Sequence, residues 1–339
     1  MATGREYEPV DYELQPPHEG LGFQHKWYET KCGELLDKVH QQPVVISGEI
    51  PVESACELLV KNGISAAPVW DKEKRVFVGM FDFRDVVTYV LLGLGKNGKP
   101  DDATYEVEEL FRRARAHEPV PAKLAADLSQ KNPFYSVMEE TPILQLVEIF
   151  GKGIHRVAVT DGDKLKGIIS QSTVMQFLYG QIQKYPDLVE TVGKTLAETG
   201  LGSKNVITAH GNTVVLDALK LMTDNDVSSI GILDPSGAIV ANLSMSDIKW
   251  AMKATRFALL YETCLHFVSF IDQEQGMMAG KDKLPVFDVT ETSTVGYALG
   301  KMVATRAHRV WVVDRARGNP VSVVSLTDIY RILLPAAQA

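Results

Sequence analysis

The sequence predicts an α/β protein, of the α+β kind, built from four copies of one β-α-β-β-α unit. The first observation is a short apolar strand that ends in an acidic residue and occurs four times, at Ser65–Asp71, His155–Asp161, Ser228–Asp234 and His308–Asp314. The second is a helical pattern before each of these strands. The third is another strand and a polar turn after it. Internal repeats determine the fold, so they are identified before other elements.

The first helix of each unit is predicted from apolar residues at i, i+4 and i+7, which lie on one helix face. These residues are Val52, Cys56 and Leu59; Pro142, Leu146 and Ile149; Val215, Leu219 and Met222; and Val295, Leu299 and Met302. In unit two we expect Thr141 to cap the helix, with Pro142 at its first position. A short strand is expected before each unit, for example at Val44–Ile46 and Phe134–Val137.

Two strands and a second helix complete each unit. The first strand is rich in β-branched residues, and turn residues such as Asp234-Pro-Ser-Gly follow it. The second strands are predicted at Val76–Phe81, Leu165–Ser170, Ala238–Leu243 and Val321–Val324. The closing helices are predicted at Asp85–Leu92, Thr173–Tyr179, Asp247–Met252 and Asp328–Leu334.

One unit buries too little surface to be stable alone, so we expect the units to pair. The predicted domains are an N-terminal extension (1–42), a first module (43–190, with units 43–92 and 131–183 around a connector 93–130) and a second module (191–339, with units 203–252 and 283–335 around a connector 253–280). Helices are expected at Val107–Ala116 and across Lys253–Gly280. The break between modules is expected near Lys184–Ser203.

The composition is that of a soluble globular protein, with 45% apolar and 23% charged residues. The net charge of −8 argues against a general binder of nucleic acid or anionic membranes. Cys32, Cys56 and Cys264 include no close pair, so we expect no disulfide framework, no cysteine zinc site and a reducing compartment. No signal peptide or membrane span is predicted. The expected location is the cytoplasm, and also the nucleus.

The unit, with its terminal Ser/Thr-x-Asp turn, resembles the cystathionine-β-synthase (CBS) domain. Four such units resemble two Bateman modules, which implies that the pairs pack into a disk. The stretches Gly63–Asp71, Ile154–Val157 and His308–Asp314, the last followed by Val324–Ile329, resemble the gamma regulatory subunit of AMP-activated protein kinase. The resemblance covers the chain from Gln41 to Leu334.

This resemblance implies a non-catalytic regulatory subunit that binds AMP, ADP or ATP between repeats and regulates a kinase through its alpha and beta subunits. In the family, the acid that opens the closing helix accepts hydrogen bonds from both ribose hydroxyls, as a carboxylate can. Asp85, Asp247 and Asp328 occupy this position, whereas unit two has Thr173. The alternative is that these acids only cap the helix and interact with its dipole.

Two His-Arg pairs stand at the same position of units two and four, His155-Arg156 and His308-Arg309. By the resemblance they would hold nucleotide phosphates in a central cavity, which suits the planar donor fork of arginine. The alternative is a solvated or ion-paired surface position. Polar side chains expected near the ligand are Arg84, Ser244, Ser246, Ser325 and Thr327.

Some cations of the family are missing. Several gamma subunits carry arginine where Ser65 stands and basic residues where Gln171 and Ser172 stand. Each lost charge-assisted hydrogen bond costs about 1.5–3 kcal/mol. The alternative function is therefore a CBS scaffold that binds another enzyme or a phosphatase without nucleotide sensing.

Other motifs predict no chemistry. Gly93–Pro100 has the spacing of a phosphate-binding loop, but Pro100 replaces the required Ser/Thr and the stretch follows a helix, so we predict a plain loop. The sequence contains no G-x-S-x-G or H-E-x-x-H motif, and no catalytic residue, metal or cofactor is predicted. Tyr7–Trp27 is expected to be a flexible terminus, with docking on a partner as the alternative.

Overall fold

The computed structural model describes residues 26–39, 42–95, 108–110, 112–113, 116, 118–162, 164–252, 256–279 and 288–334. Four repeats, each a small sheet with helices, give a mixed α/β architecture, as the sequence predicts. Among these residues, no helix has the length and apolar character needed to cross a membrane.

Each repeat contributes one three-stranded sheet. Its short first strand pairs parallel to the second, which pairs antiparallel to the third. The strands are β1 (Ile46–Ser47), β2 (Ala66–Asp71), β3 (Val76–Asp82), β4 (Ser136–Met138), β5 (Arg156–Asp161), β6 (Lys164–Ser170), β7 (Thr208–His210), β8 (Ser229–Leu233), β9 (Ile239–Ser244), β10 (Asp288–Val289), β11 (Arg309–Val313) and β12 (Pro320–Ser325). The antiparallel pair of every sheet contains one register shift, so the four copies share even this irregularity.

The first helix of every repeat forms where the apolar spacing predicts it. The α-helices are α1 (Cys32–Val39), α2 (Val52–Lys61), α3 (Phe83–Gly93), α4 (Ala122–Ala125), α5 (Ile143–Gly151), α6 (Gln171–Tyr179), α7 (Pro186–Gly193), α8 (Leu196–Thr199), α9 (Val215–Asp224), α10 (Cys264–Ala279), α11 (Val295–Thr305) and α12 (Leu326–Leu333). Short 3-10 helices are Trp27–Glu29, Ile182–Lys184, Met245–Trp250 and Phe257–Tyr261.

Several boundaries differ from the prediction. Repeat three closes with the 3-10 helix Met245–Trp250 instead of an α-helix, and this tighter turn buries Ile248 and Trp250. Helix α5 starts one residue late, with Pro142 at the cap, because the Thr141 hydroxyl accepts the Met138 N–H instead (3.1 Å). The expected break near Lys184–Ser203 contains two helices, α7 and α8.

Two hydrophobic cores hold the repeats together, and each core joins alternate repeats. One core combines buried side chains of repeats one and three, such as Val86 and Ile248. The other combines repeats two and four, where the rings of Phe150 and Tyr330 lie 5.3 Å apart. The closing helices α3 and α12 therefore pack against the repeat two places away along the chain.

Sequence-adjacent repeats meet through their sheets. Phe77 of β3 stacks on Phe134, just before β4, with ring centres 4.5 Å apart. In the second half, the Trp311 indole N–H donates to the Asn242 carbonyl (3.2 Å). Each repeat thus contacts two others, one through helices and one through strands.

Each repeat is completed by a helix from outside its own unit. Isolated bridges join the start of each first helix to the start of such a segment, in the pairs Lys31–Pro142, Pro51–Pro121, Val214–Thr263 and Thr195–Thr294. The segment before repeat one therefore lies on repeat two, and the connector before repeat two lies on repeat one. Repeats three and four exchange α8 and α10 in the same way.

This exchange corrects the expectation of a flexible terminus at Trp27. Trp27 is 2% exposed, belongs to the second core, and donates its indole N–H to Asp187 (2.9 Å). Tyr7, Tyr12 and Phe23 lie outside the described residues. So do Lys96–Pro100 of the glycine-rich loop and parts of the expected helix Val107–Ala116; Glu108–Leu110 and residues 112–113 are helical.

Candidate functional site

A cavity of about 1320 Å³ is lined by side chains of all four repeats. It brings together most of the predicted site residues, namely Arg84, His155, Arg156, Ser244, Ser246, Asp247, His308, Arg309, Ser325, Thr327 and Asp328. Asp85 is the exception, because it does not line the cavity.

The three predicted acids all take part in capping their closing helix. Each carboxylate accepts the backbone N–H of the cap residue: Asp85 from Asp82 (3.0 Å), Asp247 from Ser244 (2.8 Å) and Asp328 from Ser325 (2.8 Å). The side chains of Asp82 and Ser325 in turn accept a backbone N–H of the first helical turn, whereas the Ser244 hydroxyl donates to Asp247 (2.7 Å). The capping role, considered as the alternative for these acids, is therefore present at all three positions.

The second oxygen distinguishes Asp85 from the other two acids. Asp85 is fully buried, and its Oδ1 accepts the backbone N–H of Ser129 in the connector (2.9 Å). Burial, together with repulsion from Asp82, raises the pKa of Asp85 well above its usual range. A ribose at Asp85 would have to displace the connector.

Asp247 and Asp328 remain next to the cavity. Asp328 is 18% exposed, and its Oδ1 accepts from the exposed guanidinium of Arg331 (3.2 Å). Among the described residues, Asp247 Oδ1 has no hydrogen-bond partner. These two carboxylates could still accept donors from a ligand, and their ribose role stays a prediction.

The arginines of both His-Arg pairs contact a serine of the preceding repeat. Arg156 Nη2 donates to Ser65 Oγ (2.5 Å), and Arg309 Nη2 donates to Ser228 Oγ. The serines stand where the other two repeats carry histidine. The alternation of Ser and His along the four copies was visible in the sequence, but only the fold shows that the serine of one repeat binds the arginine of the next.

Both histidines are neutral at neutral pH. Burial, reinforced by the nearby guanidinium of Arg156, lowers the pKa of His155 to about 3 and that of His308 to about 4. The His308 side chain is exposed to the cavity. The protein atoms around it nevertheless exclude enough solvent to disfavour the charged imidazolium. The histidines can therefore offer hydrogen bonds to a ligand but little charge.

Two of the remaining polar side chains are engaged in contacts between repeats. Arg84 forms an ion pair with Asp226 of repeat three (2.7 Å), which also pairs with Lys131 (2.6 Å). Gln171 is 6% exposed, and its Nε2 donates to Thr327 Oγ1 of repeat four (2.9 Å). Gln171 thus supports the contact between repeats two and four.

Sequence reasoning missed Asp82 and Ser129. Asp82 is the cap residue of α3, where the other three repeats have serine, and its Oδ2 lies 3.7 Å from Arg156 Nη1. The sequence indicated the special role of Asp82 only by having aspartate where the other three repeats have serine. Ser129 acts through its backbone N–H, so its side chain gave no indication.

The described residues provide no evident metal site or nucleophile. They contain no group of three or more His, Cys, Asp and Glu side chains that could hold a metal ion. Cys32, Cys56 and Cys264 are free and buried, and burial raises the pKa of each thiol to about 12. These thiols are therefore protonated and unreactive at neutral pH.

Comparison with known proteins identifies the repeats. A family model described as the CBS domain matches residues 33–92, 125–180, 199–254 and 283–335. These ranges contain the four sheets and, apart from one terminal residue of α3, the closing helices described above; the first range also covers α1 from its second residue.

Curated relatives match nearly the whole chain. Protein SDS23 of Yarrowia lipolytica is 34% identical over 91% of this chain and 68% of its own length. Protein SDS23 of Kluyveromyces lactis is 32% identical over 91% of this chain, which spans 63% of that relative. The protein sds23 of Neosartorya fischeri is 32% identical, and this chain spans 56% of its length.

Solved structures share the fold at low sequence identity. A crystal structure of protein MJ1225 from Methanocaldococcus jannaschii has a TM-score of 0.63 at 15% identity and covers 86% of this chain and 96% of its own. An uncharacterised conserved protein from Pyrococcus horikoshii has a TM-score of 0.50 at 15% identity and covers 87% of this chain and 96% of its own. At this identity the likeness shows the fold alone.

These comparisons correct the functional expectation. The role of an adenine-nucleotide-sensing subunit of an AMP-activated-type kinase, with kinase alpha and beta partners, is wrong, because the relatives that match along the chain are SDS23 proteins. Four CBS repeats and extended identity to these relatives lead to one conclusion: the chain belongs to the CBS-domain family and, within it, to the SDS23 proteins.

Proposed function

We propose that this protein is a non-catalytic CBS scaffold that binds another enzyme, such as a phosphatase, without sensing nucleotides. The observation that carries the proposal is the state of the first half, where the chain itself satisfies the groups expected to hold a nucleotide. Asp85 accepts from Ser129, and Arg156 contacts Ser65 and lies near Asp82. The relation to SDS23 proteins supports a partner other than the kinase subunits.

The chemistry of the cavity supports a non-catalytic role. The two histidines that line it have pKa values of about 3 and about 4. Groups with such values are weak bases at neutral pH, far from the range that favours general acid–base catalysis. Of the predicted ligand contacts, the proposal keeps Asp247, Asp328, His155, His308 and Arg309, because Arg156 already contacts Ser65 and lies near Asp82.

Affinity capture tests the scaffold function. The full chain, tagged and immobilised, should retain an enzyme from extract of the source organism at near-equal molar amount, and the eluate should be assayed for phosphatase activity and for kinase chains. Capture should be the same with and without millimolar AMP or ATP. The variant Asp328→Asn serves as a matched control, because a scaffold that senses no nucleotide should capture the same partner when this cavity carboxylate loses its charge.

Two outcomes would contradict the proposal. Capture that changes with AMP or ATP, and no longer does so in Asp328→Asn, would restore nucleotide sensing. Turnover of ATP by the purified chain, lost in the same variant, would replace the scaffold with an enzyme.

A further inference from the structure

The two halves of the molecule place Arg156 and Arg309 in the same way, but they differ in the groups that balance the positive charge of each arginine. Arg156 contacts Ser65 in the first half, and Arg309 contacts Ser228 in the second. The residue that caps the closing helix of the contacted repeat differs, because repeat one has Asp82 and repeat three has Ser244. The halves are thus matched in geometry and unmatched in charge.

Asp82 has two roles in the first half. Its Oδ1 accepts the backbone N–H groups of Arg84 (2.7 Å) and Asp85 (3.3 Å), as a helix cap does. Its Oδ2 lies 3.7 Å from Arg156 Nη1, and both side chains are largely withdrawn from solvent, at 12% and 14% exposed. Burial of a guanidinium is costly unless a counter-ion lies nearby, and Asp82 provides one for Arg156 from within the chain.

Arg309 has no carboxylate at ion-pair distance, and Asp328 attracts it only from farther away. No carboxylate of the described residues lies within 4.0 Å of its guanidinium, and Asp82 is replaced by Ser244, whose hydroxyl donates to Asp247 (2.7 Å). Burial, together with repulsion from Arg84, lowers the pKa of Arg309 to about 10 against the attraction of Asp328, so it stays charged at neutral pH. Arg309 and its neighbour His308 both line the cavity.

We propose that Asp82 is a built-in counter-ion of Arg156 and occupies the position where an oxyanion would otherwise bind. Oxyanion binding in the cavity is therefore confined to Arg309 in the second half. In the same half, the backbone N–H of Ser129 donates to Asp85, so this carboxylate also has its partner within the chain. In the first half, both the acid and the arginine are therefore satisfied by groups of the chain itself. This inference does not depend on which protein the scaffold binds.

Titration calorimetry with inorganic pyrophosphate tests the proposal. The full wild-type chain should bind one pyrophosphate, and Arg309→Gln should lose at least about tenfold in affinity, as expected when a charged contact worth about 1.4 kcal/mol or more is removed. Asp82→Ser should bind two. Serine is the cap residue of the other three repeats, so this change keeps the cap while it removes the charge. The double variant Asp82→Ser/Arg156→Gln should return to one.

The controls separate this role from a structural one. Arg156→Gln alone should leave the wild-type stoichiometry unchanged, because that arginine is already neutralised. If Asp82→Ser does not fold, as judged by circular dichroism, Asp82→Asn keeps the shape and should also bind two. The proposal is overturned if the wild type binds none or two, if the folded Asp82 variants still bind one, or if Arg309→Gln binds as the wild type does.

Discussion

At the scale of single residues, three chemically similar carboxylates differ because of their surroundings. Asp85, Asp247 and Asp328 all accept a cap N–H, but only Asp85 also accepts a connector N–H and is fully buried. The Ser/Thr-x-Asp pattern could predict the cap, because cap and acid are three residues apart. It could not predict the burial of Asp85, because Ser129 is 44 residues away in the chain.

The first prediction concerns the protonation of Asp85. Its folded pKa is raised above the unfolded value of about 3.9, so the folded state binds the proton more tightly. The contribution of Asp85 to the free energy of unfolding should be most favourable below that value and should decrease as the pH rises through the folded pKa. A carboxyl ¹³C titration, assigned with Asp85→Asn, should show Asp85 titrating above its ordinary range.

Asp234 is the control, because hydrogen bonds from Ser236 lower its pKa. It should titrate below its ordinary range in the same experiment. An Asp85 resonance that also titrates at or below the ordinary range would contradict the arrangement described here.

A second prediction concerns Gln171, which stands where the other repeats carry Phe83, Met245 and Leu326. Its Nε2 donates to the carbonyls of Phe150 (3.2 Å) and Ile154 (3.1 Å) as well as to Thr327. Gln171→Leu should lower the free energy of unfolding by about 1–3 kcal/mol, because it leaves buried acceptors unpaired. Urea unfolding measures this. Gln176→Leu, an exposed position on the same helix, should change it little.

At the scale of elements, the sequence predicts what is local and misses what is exchanged. The spacing of Val215, Leu219 and Met222 predicts helix α9 because all three point to one core. The position of α1 on repeat two depends on contacts with Thr141 and Gly167, more than 100 residues away. No local pattern in residues 26–39 contains that information.

The third prediction follows from α1. Its Cys32 and Leu35 are buried with Trp27 in the second core, and Leu36 lies against Gly167 of β6. Deleting residues 1–39 should lower the free energy of unfolding by several kcal/mol, since each buried large apolar side chain contributes about 1.5–3 kcal/mol. It should also speed amide exchange in β6. The matched reference is the chain that lacks only residues 1–25, and equal stability and equal amide exchange in the two deletion chains would contradict the role of α1.

At the scale of the whole molecule, the alternating cores make the two halves interdependent. Repeats one and three share one core, and repeats two and four share the other, so neither half contains a complete core. The fourfold pattern predicted that units would pair. It could not predict that each unit has two partners, because apolar helix faces do not specify which unit they meet.

The fourth prediction tests this interdependence. Residues 1–193 and 194–339, expressed separately, should each expose a large apolar face and aggregate or remain partly folded. Mixed or co-expressed, they should form a one-to-one complex with a cooperative thermal transition, seen by size-exclusion chromatography and calorimetry. Two soluble monomers with full, independent transitions would show that the cores are separable.

The exchanged helices also affect synthesis on the ribosome. Helix α1 is made well before the strand it covers, Lys164–Ser170, which follows more than 120 residues later. During that interval the helix has no partner from its own chain, whereas a neighbouring nascent chain on the same messenger, further advanced, already presents one. The order of translation therefore exposes this architecture to intertwining between chains, and slow translation of repeat one would increase the yield of interlocked dimers.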